Sequence, residues 1–327
     1  IGGVILKSAY TNNKLLKKYA AGIAGSIFRY LLLLSIGYVI LYPMLYLITT
    51  SFRPDTAFLD PSRVWIPKSV TLERFAFAAK VMDYFNAFSA TVSKELVAAA
   101  LEVISCAVVG YGFARFNFPF KKVFTAVLFI TILVPAPMIV IPQVLNFSRI
   151  DAFGILGLIN KLTGVDLRAN IMGTPLTFYL PSIFASGLRA GILIYIYIQF
   201  FSGFPKELEE AAWIDGATPV RTFLSIILPS SSVVIITVSL FALIWHWNDY
   251  LLSVMYTSGS TPTLAVRIQT LQADLQAYGI FGYSLSQPGA EAYSMAGSLM
   301  FILPVFLVYL FLQRFFIESI DRVGITG

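Results

Sequence analysis

Apolar residues along this chain gather into long runs rather than alternating with polar ones. A helix needs about 20 apolar residues to cross a hydrocarbon core. Six stretches meet that length, at about 30–51, 94–114, 122–145, 174–201, 230–255 and 293–316. The pattern predicts an all-α integral membrane protein with six transmembrane helices. Pro135, Pro137, Pro142 and Pro181 interrupt the third and fourth runs. Such breaks are tolerated where neighbouring helices or cavity water satisfy the freed carbonyls, and broken spans often line a substrate path. A plain kink fits the same prolines. The first run is too long for a cleavable leader and no small-residue cleavage pattern follows it; position 1 is Ile rather than Met, which leaves room for N-terminal trimming.

Composition strengthens this picture. Of 327 residues, 57% are hydrophobic and 12% charged, and mean hydropathy is +0.79. Soluble domains carry about 25% charged residues, so the composition argues against an ordinary cytosolic enzyme and excludes a disordered chain. The sole cysteine, Cys106, rules out an internal disulfide, and the sole histidine, His246, rules out a His/Cys metal site. No Gly-Lys dipeptide occurs, so there is no P-loop lysine, and any ATP must be bound by another chain. The net charge of +6 forms no basic stripe and does not point to nucleic acid. Basic clusters at Lys7, Lys14, Lys17, Lys18 and Arg29, and at Arg115, Lys121 and Lys122, mark the cytoplasmic side. Both termini are expected there, with the 52–93 and 256–292 connections outside.

One predicted cytoplasmic connection has its own architecture. From Gly203 the chain reads GFPKELEEAAWIDGATP, and nine residues separate Gly216 from Ile226-Ile227-Leu228-Pro229. Pro205 suits a first helical turn, and Glu207, Glu209 and Glu210 suit its positive end. Gly216 permits a reversal, and Thr218-Pro219 opens a second short helix. Two short helices at a sharp bend, lying along the membrane, are expected. Ala211 and Ala212 leave a face of little bulk flanked by carboxylates, suited to a basic-rimmed groove on a partner.

The spacing Glu210-Ala211-Ala212, Gly216, then Ile226-Ile227-Leu228-Pro229 resembles the EAA loop of ABC importer permeases. Ala107 to Phe116 (AVVGYGFARF), Gln199 to Leu208 and Trp247-Asn248-Asp249-Tyr250 resemble further motifs of the maltose-transporter-type carbohydrate family, on the side of its shorter, six-span subunit. The likeness covers roughly residues 85–320, with a coupling loop at 202–229, a cytoplasmic segment at 1–29, a first span and outer segment at 30–84 and a cytoplasmic tail at 321–327. It implies a half-transporter for sugars or oligosaccharides in a bacterial or archaeal cytoplasmic membrane, not itself an enzyme. The implied partners are a second permease subunit, two ATPase subunits that hold ATP and Mg, and an extracytoplasmic sugar-binding protein. No cofactor is implied in this chain. The resemblance assigns ATPase coupling to Glu210, Ala211, Ala212, Asp215 and Gly216. The end, DRVGITG, is less basic than the family's usual tail.

Charges inside the predicted spans are the second candidate site. Glu102 lies about 12 Å into its span at ~1.5 Å per residue, and Arg189, eight residues after Pro181, falls at a matching depth. Intramembrane charges face a bundle interior or a wet cavity. The two are expected to pair or to line the translocation path; a structural ion pair without substrate contact fits equally. Asn248 and Asp249 are expected to serve the path or a gate, Trp245 and Trp247 an interfacial belt, and His246 to be a satisfied polar side chain. A secondary transporter, or an ABC permease for a non-sugar solute, remains an alternative; the EAA spacing argues against the first, and the carbohydrate-type motifs against the second.

Overall fold

The computed structural model describes residues 2–54, 69–151, 154–277 and 290–324. Residues 55–68 of the expected outer 52–93 connection, residues 278–289 of the expected outer 256–292 connection and the last three residues lie outside them. The described residues are almost wholly helical, with one isolated backbone bridge between Ile150 and Ala169. By length and composition, three helical stretches qualify as membrane spans: 22–52, Tyr84–Arg115 and Glu291–Phe315. Two further apolar helix pairs qualify only if each sharply bent pair is one span.

The chain divides into two compact units, residues 1–74 with 288–296, and 75–287 with 297–327. In the first, α1 (Gly2–Phe52) is one continuous helix. Its apolar side chains from Ile23 to Leu45 are exposed, which suits a helix whose surroundings are lipid rather than water. Arg74 donates to the Thr50 carbonyl (3.2 Å) near the end of α1 and lies over the Tyr293 ring.

The second unit opens with α2 (Glu73–Val81), which begins just before it, and α3 (Tyr84–Arg115). Helix α3 starts ten residues earlier than the apolar run at 94–114 suggests, and it widens into a π-helical turn at Val92–Leu96. Lys94, taken from sequence as a membrane boundary, is buried within it; its Nζ donates to Ser260 Oγ and the Thr261 carbonyl, each at 2.8 Å.

The third predicted span is two helices, α4 (Lys121–Leu133) and α5 (Ala136–Ser148), bent by 102°. Pro135 has no N–H to continue α4 and forces extended backbone on Val134, so the break falls there. The connection that follows contains α6 (Ile155–Thr163). The fourth predicted span is likewise α7 (Leu176–Ile183) and α8 (Ala190–Ser202). Pro181 sits inside α7; the break lies at Ala185 and Arg189, both left-handed. After α9 (Glu207–Ile214) comes α10 (Pro219–Ser230), with a second π-helical turn at Phe223–Ile227. An 80° bend leads into α11 (Ser232–Trp247), followed by α12 (Leu251–Tyr256), α13 (Leu264–Ala277) and α14 (Ala290–Gly324), whose first residues belong to the other unit.

The core of this unit forms where α3, α8 and α11 meet, around Cys106, Leu193, Tyr197, Phe201 and Val238. Gly110 makes the approach of α3 to α8 possible, since any Cβ there would collide with Tyr197. Small residues serve this purpose in membrane bundles, where close packing replaces the hydrophobic effect between helices. Cys106 is fully buried, its sulfur 3.9 Å from the Ala190 carbonyl.

Candidate functional site

The acidic segment folds into two short helices at a bend, as its sequence predicts. The N–H groups of Glu209 and Glu210 both reach the Lys206 carbonyl at 3.0 Å and start α9. Its end is a Schellman motif: Ala217 N–H bonds the Ala212 carbonyl (2.9 Å) and Gly216 N–H the Trp213 carbonyl (3.0 Å). Gly216 supplies the required left-handed backbone, at φ +82°. Thr218 caps α10 by accepting from Arg221 N–H (3.3 Å), with Pro219 as first helical residue.

The two faces of α9 differ in kind. Glu210, Ala211, Asp215 and Gly216 are exposed, and Ile214 is 86% exposed. Ala212 packs inward, so the open small-residue face consists of Ala211 rather than the expected Ala pair. Glu209 also points inward. Its Oε1 lies 2.9 Å from Arg115 Nε, and the two side chains are only 4% and 5% exposed. The contact is ionic rather than an aligned Nε–H hydrogen bond. The same guanidinium donates through Nη2 to the Phe204 carbonyl at 2.7 Å, just beyond the end of α8. Arg115 closes α3, where a cation complements the helix dipole. From sequence it reads only as a topology charge, and Glu209 only as one acid among three.

The intramembrane charges do not sit as expected. Glu102 pairs with His246, not with Arg189: its Oε2 lies 2.7 Å from His246 Nε2. His246 Nδ1 lies 2.9 Å from Glu95 Oε2, so one ring bridges two carboxylates. Glu95 and Glu102 stand seven residues apart, which puts both on one face of α3. Ser253 Oγ–H donates to the second Glu95 oxygen at 2.6 Å. All three members of the triad are buried. Arg189 instead lies exposed over the Trp245 ring, 5.0 Å from its centroid.

Asp249 is buried and caps α12, accepting from Leu252 and Ser253 N–H at 3.3 and 3.2 Å. Asn248 is exposed and donates to the Ile244 carbonyl (2.8 Å). Trp247 does not belong to an interfacial belt. It is 3% exposed, donates to the Phe301 carbonyl (3.1 Å) and meets the Phe88 ring. His246 is the satisfied polar side chain expected, though in a triad whose other end, Glu95, is not among the residues singled out from sequence. Among the described residues no cluster of His, Cys, Asp and Glu could hold a metal ion. In the 160–170 connection, outside the apolar helices, Arg168 forks onto Asp166 at 2.8 Å through both contacts. Those hydrogen bonds hold the Asp166 carboxyl down, at about 2.

An apolar helical bundle with an acidic capped elbow invites comparison with transport proteins. Residues 107–321 match the family model of the binding-protein-dependent transport system inner membrane component. The chain belongs to this family. The permease is 26% identical over 296 residues to the arabinooligosaccharides transport system permease protein AraQ of Halalkalibacterium halodurans, covering 89% of this chain and 93% of that protein. It is 27% identical to the maltodextrin transport system permease protein MdxG of Bacillus subtilis, covering 94% and 98%. It is also 25% identical to the trehalose transport system permease protein SugB of Mycobacterium tuberculosis, covering 90% and 95%. The permease shares its fold with a chain in the crystal structure of a bacterial ABC transporter involved in the import of the acidic polysaccharide alginate. The TM-score is 0.64 at 20% identity, covering 89% of the permease and 96% of that chain.

Proposed function

We propose that this permease is the six-span subunit of a binding-protein-dependent ABC importer for sugars or oligosaccharides. With a second permease subunit it forms the translocation path. Two ATPase subunits dock on the elbow from the cytoplasm, and a binding protein delivers substrate from outside. The observation that carries this reading is the elbow itself. A Schellman-terminated acidic helix turns Glu210, Ala211 and Asp215 outward while its other face is anchored in the bundle. The carbohydrate names of the relatives support sugar as cargo.

In this assignment Glu210 makes the ionic contact with an ATPase groove, Ala211 permits close approach, and Gly216 holds the bend. Ala212 and Asp215 complete the elbow. Arg189, with Trp245 beneath it, and Asn248 line the path; Glu102 and Asp249 are buried and shape it without touching substrate. Planar guanidinium, amide and indole groups suit sugar hydroxyls and ring faces.

The test is purification of the tagged chain from its native membrane, with uptake of labelled oligosaccharides in vesicles. Native chain should bring an ATPase subunit with it, and Glu210→Lys should lose it. Retained attachment and uptake in Glu210→Lys would refute the elbow's role. Uptake of a non-sugar solute alone would refute the cargo.

A further inference from the structure

We propose that Arg115 and Glu209 form the strut through which motion of the elbow reaches the membrane-spanning bundle. This rests on the reading of the elbow as the ATPase-docking surface and assigns the transmission path behind it.

Consecutive residues on a helix point about 100° apart, so adjacent carboxylates serve different surfaces. Glu210 is exposed and Glu209 is buried. The elbow is joined covalently to α8 and continues into α10 and α11, but α3 is distant in sequence. The elbow, α9 with α10, meets α3 through two contacts of different kind, with the Tyr111 side chain also beside Glu209. One is aromatic: Tyr111 of α3 lies against Phe223 of α10, with ring centroids 4.7 Å apart. The other is the buried Arg115–Glu209 pair.

The two contacts differ mechanically. Aromatic faces slide past one another at little cost, because dispersion has no strong direction. A buried guanidinium held by a carboxylate and by the Phe204 carbonyl cannot slide without leaving charge unpaired in a low-dielectric interior. Arg115 thereby fastens three elements at one point: the end of α3, the end of α8 and the inward face of α9. Helix α3 is the element that matters, because it carries Glu95 and Glu102 to the triad and Lys94 to the 260–261 segment at its other end. A displacement fixed at Arg115 is delivered along one continuous helix to both. Glu209 and Arg115 are positioning residues, acting through α3 rather than on substrate.

The experiment compares Glu209→Gln and Arg115→Lys with the native chain in the intact transporter, reconstituted in proteoliposomes. Glutamine keeps the shape of the side chain without its charge. Lysine keeps the charge without the fork that also reaches Phe204. Three quantities are read: ATPase attachment, ATP hydrolysis, and substrate moved per ATP. The strut predicts unchanged attachment in Glu209→Gln, hydrolysis within about threefold, and a fall of tenfold or more in substrate moved per ATP. Arg115→Lys should fall between Glu209→Gln and native. A merely structural role would lower all three together. A native ratio of transport to hydrolysis in Glu209→Gln overturns the strut alone. So does loss of attachment equal to that of Glu210→Lys, which would place Glu209 in the docking face. Failure of the native chain to hold an ATPase subunit overturns the reading beneath it instead.

Discussion

Replacing His246 by leucine removes a ring that satisfies two buried carboxylates at once. Its side chain is 4% exposed, and its nitrogens lie 2.9 and 2.7 Å from Glu95 and Glu102. Glu95 keeps a partner, because Ser253 Oγ–H still donates to it at 2.6 Å. Glu102 keeps none: its Oε1 already lacks a hydrogen-bond partner, and its Oε2 loses the imidazole. Hydrogen bonds to charged groups are each worth about 1.5–3 kcal/mol. Breaking a buried pair by removing one member costs about 3–5 kcal/mol. His246→Leu should therefore destabilise the bundle by about 3–5 kcal/mol. Glu102→Gln, which keeps a polar atom against Nε2, should cost about 1–2 kcal/mol. The double variant His246→Leu/Glu102→Leu removes the orphaned carboxylate with its partner, so it should cost at least ~1 kcal/mol less than the two single leucine variants together. Denaturant unfolding of the purified chain in detergent measures all of these. A cost below ~1 kcal/mol for His246→Leu, or single-variant losses that simply add, would refute the triad as a coupled unit.

Other outcomes follow from the same geometry. Glu102→Gln and Arg189→Gln should be additive within about 0.5 kcal/mol in stability, because the two side chains share no partner; a larger coupling energy in the same unfolding assay would restore them as a pair. Gly216→Ala meets no steric obstacle but must hold φ +82°, so the elbow should lose about 1–2 kcal/mol locally. Faster amide exchange confined to 207–222 would show it. Gly110→Ala drives a methyl into Tyr197 and should cost about 1–3 kcal/mol, read as a lowered unfolding midpoint. Below neutral pH the exposed Asp166–Arg168 fork should persist. A carboxyl whose folded pKa is depressed contributes above the ordinary aspartate pKa and is lost only as pH falls through about 2. A carboxyl titration midpoint near 4 for Asp166 would contradict it.

What the sequence disclosed depended on whether the signal was local. The elbow was legible because Pro205, Gly216 and Thr218-Pro219 act on backbone within a few residues of themselves. The apolar runs gave the rough place of helical stretches, but neither their number nor their geometry. Pro135 did break its run, whereas Pro181 did not; the neighbouring turn belongs to Ala185 and Arg189, whose left-handed backbone carries no composition cue. The triad was hidden for two reasons. Its members lie 144 and 151 positions apart in the chain. And Glu95 sits next to Lys94, where the apolar run begins, whereas α3 begins at Tyr84 and Glu95 lies buried in its π-helical turn. Arg115 was misjudged in a similar way: counting it as a topology marker says nothing about whether its own side chain is paired.

The back-to-back placement of Glu209 and Glu210 has a consequence for how such machines diversify. Substitutions on the outward side of one short helix are free to change which motor it accepts, while the neighbouring position preserves the internal linkage. Grafting only the outward residues from a relative should retrain this subunit to a foreign engine with its gearing intact.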